Sequence, residues 1–249
     1  MPQTDGHDRN VKTVLEYDGS DFCGWQIQPN LRTVQEEMEN AIFRITGERP
    51  RVTGAGRTDA GVHALGQVAS FRLVKSITER LLKQALNAVL PDDIRVLDLR
   101  NAPDTFDARR DALHRTYRYV ISNRPRAVGR QYAYHPKLSF SLESMVAASD
   151  LFKGKHCWKA FCRNGDSEGE CVSTVTDIQW ETDSDEIRFE ITAERFFHNM
   201  VRIIIGTLFD VGRGKMPAEQ LRILFERPDR TLAGTTLPPH GLFLLRVGY

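Results

Sequence analysis

The chain has 249 residues, 41% of them hydrophobic and 27% charged, which excludes collagen-like, low-complexity and disordered classes and leaves one large or two small globular domains. The formal net charge of +1 does not by itself single out a nucleic-acid partner. The polar opening MPQTDGHDRN lacks the apolar stretch of a signal peptide, and no apolar run approaches a membrane span, so the expected location is cytoplasmic.

Val11, Thr13, Leu15 and Tyr17 alternate on one face of a strand that stops at the turn residues Asp18-Gly19. Thr33-Val34-Gln35-Glu36 has the form of a capping box. Val34, Met38, Ile42 and Ile45 then recur at helical spacing, and Gly47 with Pro50 supplies the stop. A short strand at residues 51–53 leads into a glycine-rich loop, residues 54–66, and Ala69, Phe71 and Leu73 alternate along the returning strand. Ser76-Ile77-Thr78-Glu79 has the form of a second capping box, for a helix carrying Leu81, Leu82, Ala85, Leu86 and Val89, and residues 94–99 read as a strand.

This β-α-β-β-α-β order is that of a ferredoxin-like antiparallel sheet with helices on one side. The pattern then recurs, with strands at residues 115–122, 172–180, 187–193 and 242–247 and helices at 142–152, 198–211 and 217–225. The expected fold is α+β, with two ferredoxin-like halves whose antiparallel sheets form a continuous surface around a central cleft. The expected domains are residues 1–105, carrying the glycine-rich loop, and 106–249, completing the cleft.

The charge is segregated along the chain. Residues 109–130 hold seven arginines and one acid, Asp111, whereas residues 166–186 hold eight acids and no lysine or arginine. Arginines interleaved with Tyr117, Tyr119, Tyr132 and Tyr134 suit RNA, because guanidinium groups take phosphates and aromatic rings stack on unpaired bases. A solvated strand face is the plainer alternative.

Cys23, Cys157, Cys162 and Cys171 form no C-x-x-C pair, so reduced thiols and no metal are expected. G-A-G-R-T-D-A-G at residues 54–61 places Asp59 where a dinucleotide fingerprint needs glycine, and residues 206–215 have the wrong spacing for a P-loop. Signatures of serine hydrolases, zincins and zinc deaminases are absent. What remains is a carboxylate in a glycine-rich loop. An aspartate beside glycines ordinarily caps a turn.

The run G-R-T-D-A-G-V-H at residues 56–63 resembles the catalytic motif of the tRNA pseudouridine synthase A family. In order with it stand E-Y-D-G-S-D-F-C-G-W-Q (16–26), R-T-Y-R-Y (115–119), F-H-N-M-V-R (197–202) and G-L-F-L (241–244). The resemblance runs from Val11 to the last residue. It implies two ferredoxin-like halves, a homodimer, no cofactor, and isomerisation of uridines in the anticodon arm of tRNA, positions 38 to 40. It also implies site roles: Asp59 as the catalytic aspartate, Arg57 near the flipped base, Tyr117 stacked on the target uracil, Arg202 as the ion-pair partner of the aspartate, and Leu242 as an apolar contact in the pocket. Trp158 stands where the family commonly has phenylalanine, and the acidic loop at residues 166–170 is not expected to touch RNA phosphates.

The chemistry accounts for these residue types. Pseudouridine formation breaks the C1′–N1 bond and joins C1′ to C5 of the same base, so the base must be detached, turned and retained. A carboxylate assists departure by attacking C1′ or by taking the 2′ proton, and must be ionised to do either, which calls for a cation nearby. Arg202, set among Val201, Ile203, Ile204 and Ile205, needs a partner for the same reason. His63 and His198 have no required part in this reaction, and Tyr17, Phe22 and Trp25 read as core packing. Two other readings remain: an RNA-binding module of the same fold without chemistry, and a metal-dependent nuclease using Asp18 and Asp21.

Overall fold

A computed structural model describes residues 8–163 and 171–249; the acidic loop at residues 166–170 lies outside them. The chain is a mixed α+β protein with antiparallel strand pairing. Its contacts divide it into two units, Met1–Leu113 with Leu244–Tyr249, and His114–Phe243. Among the described residues no helix is long and apolar enough to cross a membrane.

The first unit runs β1 (Arg9–Tyr17), α1 (Val34–Thr46), β2 (Thr53–Gly54), β3 (His63–Leu73), α2 (Glu79–Val89) and β4 (Ile94–Ala102). β1 pairs antiparallel with both β3 and β4, in register Val11↔Phe71 and Val11↔Asn101, and β2 pairs with β3. The alternation in β1 is borne out: Val11, Thr13, Leu15 and Tyr17 are all buried. Thr13 fits that face because its hydroxyl donates to the Asp98 carbonyl at 3.0 Å. Val34, Met38 and Ile42 of α1 and Leu82 and Leu86 of α2 are fully buried, each a core stripe at helical spacing.

Neither expected capping box forms. Thr33 precedes α1 but its side chain makes no cap bond. The first N–H groups of the helix are taken instead by loop carbonyls, Val34 N donating to Gly24 O (3.2 Å) and Gln35 N to Trp25 O (3.0 Å). At α2 the cap is Thr78, two residues later than Ser76, accepting from Leu81 N. Glu79 is drawn away, its carboxylate accepting the Asn101 N–H at 2.7 Å. The stop of α1 is as expected, with Gly47 in the left-handed region and its N–H on the Phe43 carbonyl at 2.8 Å.

The second unit comprises β5 (His114–Ser122), α3 (Leu142–Ser149), β6 (Gly154–Cys157), β7 (Val172–Thr182), β8 (Glu186–Ala193), α4 (Met200–Gly212) and α5 (Glu219–Glu226), with strand order β5-β8-β7-β6. Residues 150–152, expected to continue α3, tighten into a 3₁₀ turn. The short β6 escapes sequence reading because four residues, G-K-H-C, carry no alternation. The apolar helix α4 starts two residues later than expected because Asn199 takes the left-handed conformation at φ 63°. A last strand, β9 (Leu242–Gly248), closes the chain, and from Leu244 onward it belongs to the first unit.

Candidate active site

Asp59 sits in the loop joining β2 to β3. Arg57 is exposed, Thr58 buried and Asp59 half-buried. The backbone around Asp59 is tied on both sides: the Thr58 carbonyl accepts the Trp25 N–H (3.1 Å), the Asp59 carbonyl accepts the Val62 N–H (3.1 Å), and Gly61 N donates to Phe22 O (3.3 Å). Trp25 thus links the start of α1 to this loop, its carbonyl on the helix and its N–H on Thr58. Gly24 makes that approach possible. At φ 90° it lies in the left-handed region, and a Cβ there would stand 2.5 Å from the Thr58 carbonyl oxygen.

Below the loop is a buried polar chain. The Tyr17 phenol shares a 2.8 Å hydrogen bond with the Thr58 hydroxyl. Gln67 Nε2 donates to the Gly56 carbonyl (2.8 Å) and reaches the Tyr17 phenol (3.5 Å). Burial pushes the Tyr17 phenol up to about 12, against the opposing pull of the Thr58 and Gln67 hydrogen bonds. His63, also buried, lies 3.0 Å from an Asp18 carboxylate oxygen and accepts the Gly19 N–H through Nδ1. Sequence reasoning missed the part Tyr17, Thr58, Gln67 and Gly24 play in fixing this loop. Tyr17, Phe22 and Trp25 are core residues as expected, and Tyr17 and Trp25 also hold the loop.

In the second unit, Tyr117 is buried on β5 opposite Ile191 of β8, and the Phe196 ring meets it edge-on with centroids 5.0 Å apart. Arg202, half-buried in the first turn of α4, is oriented by neutral acceptors: Nε donates to the Leu237 carbonyl (2.6 Å) and a terminal nitrogen to Asn199 Oδ1 (2.8 Å). The neighbouring Tyr119 donates its phenol to the Pro238 carbonyl at 2.9 Å. Its pKa is raised by burial and by Tyr134, with Arg202 pulling the other way. Leu242 is buried at the start of β9. The site residues are therefore divided, Arg57 and Asp59 in the first unit and Tyr117, Arg202 and Leu242 in the second.

Among the described residues no group of three His, Cys, Asp or Glu side chains is placed to hold a metal ion. His156 stacks on Phe225 with centroids 4.2 Å apart, and its Nε2 contacts the Lys153 carbonyl. The first unit thus offers an acid on a backbone held by its neighbours, and the second an aromatic ring and an oriented guanidinium. Such fixed groups suit chemistry that depends on placement.

The sequence model of the family described as tRNA pseudouridine synthase matches residues 14–111 and 148–249. The chain is similar to "tRNA pseudouridine synthase A" of Thermoanaerobacter pseudethanolicus, at 43% identity over 97% of this chain and 100% of that one. It is also similar to "tRNA pseudouridine synthase A 2" of Clostridium perfringens, at 42% identity, and to "tRNA pseudouridine synthase A" of Acetivibrio thermocellus, at 43%, with the same coverage. With a family match over most of its length and relatives this similar from end to end, the chain belongs to the tRNA pseudouridine synthase family.

Proposed function

We propose that this protein isomerises uridine to pseudouridine in tRNA, with the Asp59 carboxylate starting the reaction on an everted nucleotide. The observation that carries the assignment of Asp59 is its setting: a half-buried carboxylate between a buried, hydrogen-bonded Thr58 and a turn closed by Val62. Asp59 attacks C1′ or removes the 2′ proton as the C1′–N1 bond breaks. The freed uracil turns and C5 joins C1′ as the Asp59–C1′ bond breaks or, on the other route, as the proton returns to C2′; the C5 proton is then lost and N1 gains one, so atoms balance without a second substrate.

Extruding the nucleotide costs a few kcal/mol, which stacking on Tyr117 offsets. The roles proposed for the other residues are those of the family motif: Arg202 as ion-pair partner of the carboxylate, Leu242 as apolar contact of the base, and Arg57 as a hold on the nucleotide. Each unit is read as a ferredoxin-like half, and the β-α-β-β-α-β order of the first supports this. The substrate region is the anticodon arm, the protein works as a cytoplasmic homodimer, and no cofactor takes part.

The test is Asp59→Asn. Release of tritium from tRNA carrying 5-tritiated uridine is expected to vanish, while the Kd for tRNA stays within about threefold and the urea midpoint is retained. Turnover by the Asn variant would remove Asp59 from the chemistry. A wild-type protein that binds tRNA without releasing tritium would favour the non-catalytic reading.

A further inference from the structure

Between β8 and α4 the chain makes a turn, Arg195-Phe196-Phe197-His198, whose two rings are only half-buried and whose Arg195 and His198 are exposed. Apolar rings left partly in water beside an exposed guanidinium are an RNA-stacking composition. The Arg195 guanidinium lies over the Phe197 ring, 4.7 Å from its centroid, a cation–π layer that pre-orders both side chains. Arg163, also exposed, enters the same place, its N–H donating to the His198 carbonyl at 3.2 Å. Both guanidiniums, Arg163 and Arg195, are thus on exposed residues at this turn.

The turn is rigid. Ser173 Oγ donates to the Arg195 carbonyl (2.7 Å) and accepts its N–H (3.2 Å). Met200 N donates to Phe197 O (3.0 Å), and Asn199 holds a left-handed conformation with its side chain on Arg202. Backbone strain of this kind persists where the surroundings enforce it, and it concentrates at binding sites. Phe196 is the ring that meets Tyr117 edge-on, so the patch begins where the proposed uracil platform ends.

We infer that this turn is a second stacking site on the RNA. The base of an unpaired nucleotide next to the everted uridine lies on the Phe197–Arg195 layer, and Arg195 and Arg163 take the adjoining phosphates. The inference rests on the proposed function for the identity of the RNA and of the nucleotide at Tyr117.

The probe is a tRNA transcript with 2-aminopurine beside the target uridine. Stacking on the turn is expected to shift its fluorescence on binding to wild-type protein and to Phe197→Tyr, but not to Phe197→Ala. Losing one stacked base raises the Kd for tRNA about five- to hundredfold, with the larger part of any rate loss in KM. Arg195→Glu, at an exposed position that leaves the core intact, is expected to weaken binding and lower the salt slope of log Kd by about one. An unchanged Kd and fluorescence response in both Phe197→Ala and Arg195→Glu would overturn the inference, as would a wild-type protein that leaves the probe unperturbed. The fluorescence and affinity readouts do not require turnover. A wild-type protein without tritium release therefore sinks the proposed function while leaving the stacking site to be decided on binding alone.

Discussion

The Tyr17 phenol and the Thr58 hydroxyl share a 2.8 Å hydrogen bond inside the first unit, one residue before Asp59. Both side chains are almost wholly buried, and Gln67 Nε2 reaches the phenol at 3.5 Å. Thr58→Val strands that phenol, at a cost of about 1–3 kcal/mol. The expected result is a lower urea midpoint and a kcat reduced about tenfold or more, with KM little changed and Thr58→Ser restoring most of the loss. Wild-type turnover in the Val variant would show that this hydrogen bond does not position the loop.

The same phenol makes stability depend on pH at the alkaline end. Its folded pKa, pushed up to about 12, lies above the ordinary value of 10.0, so the fold favours the neutral form. That contribution is whole below about pH 10 and is lost as pH rises through about 12, a change on the order of 3 kcal/mol. The stability difference between the wild type and Tyr17→Phe is expected to be flat from pH 7 to 9 and to shrink from pH 10 to 12. Urea unfolding across that range measures it, and a difference independent of pH would contradict the assignment.

Gly24→Ala tests the approach of the Gly24-Trp25 segment to the Asp59 loop. The backbone at φ 90° is strained for alanine, and the new Cβ would press on the Thr58 carbonyl. A loss of about 1–3 kcal/mol is expected, along with a fall in kcat, because the Trp25 N–H to Thr58 bond must shift. Unaltered stability and tritium release would show that the loop tolerates displacement here.

Trp158 gives the opposite pattern. It is fully buried against Phe152, Phe161 and Phe225, and its indole N–H donates to the Ser173 carbonyl at 2.8 Å. Trp158→Phe removes that bond and leaves unfilled volume, so about 1–3 kcal/mol of stability is expected to go while kcat stays within twofold. A large loss of activity in a folded variant would mean that Trp158 bears on the chemistry.

The strands and helices that carry a clear period were legible in the sequence. β1 alternates because one face is core, and α1 stops at Gly47 because only a residue at ease with φ 80° ends a helix that way. The motif around Asp59 was legible as a string of residue types. The caps were not. Thr33 and Ser76 sit in favourable local patterns, but the Gly24 and Trp25 carbonyls and the Thr78 hydroxyl, set by tertiary placement, take the helix N–H groups instead. Nor did the sequence reveal that Gln67, well along β3, reaches back to Gly56 and Tyr17. A contact of that kind depends on strand register, which alternation alone leaves open.

The residues from Leu244 to Tyr249 count with the first unit. Tyr249 donates its phenol to the Ala108 carbonyl at 2.7 Å, its ring lies 3.7 Å from the Lys12 ammonium, and Leu113 N reaches the Gly248 carbonyl. A ribosome must therefore deliver all of His114–Phe243 before the opening unit receives its final strand. Until then Ala55, Val68 and Ala108, against which Val247 packs, lack that cover. A proteolytic nick within Leu244–Tyr249 would accordingly disturb the unit that carries Asp59 first, although more than a hundred residues of the other unit separate the two in the chain.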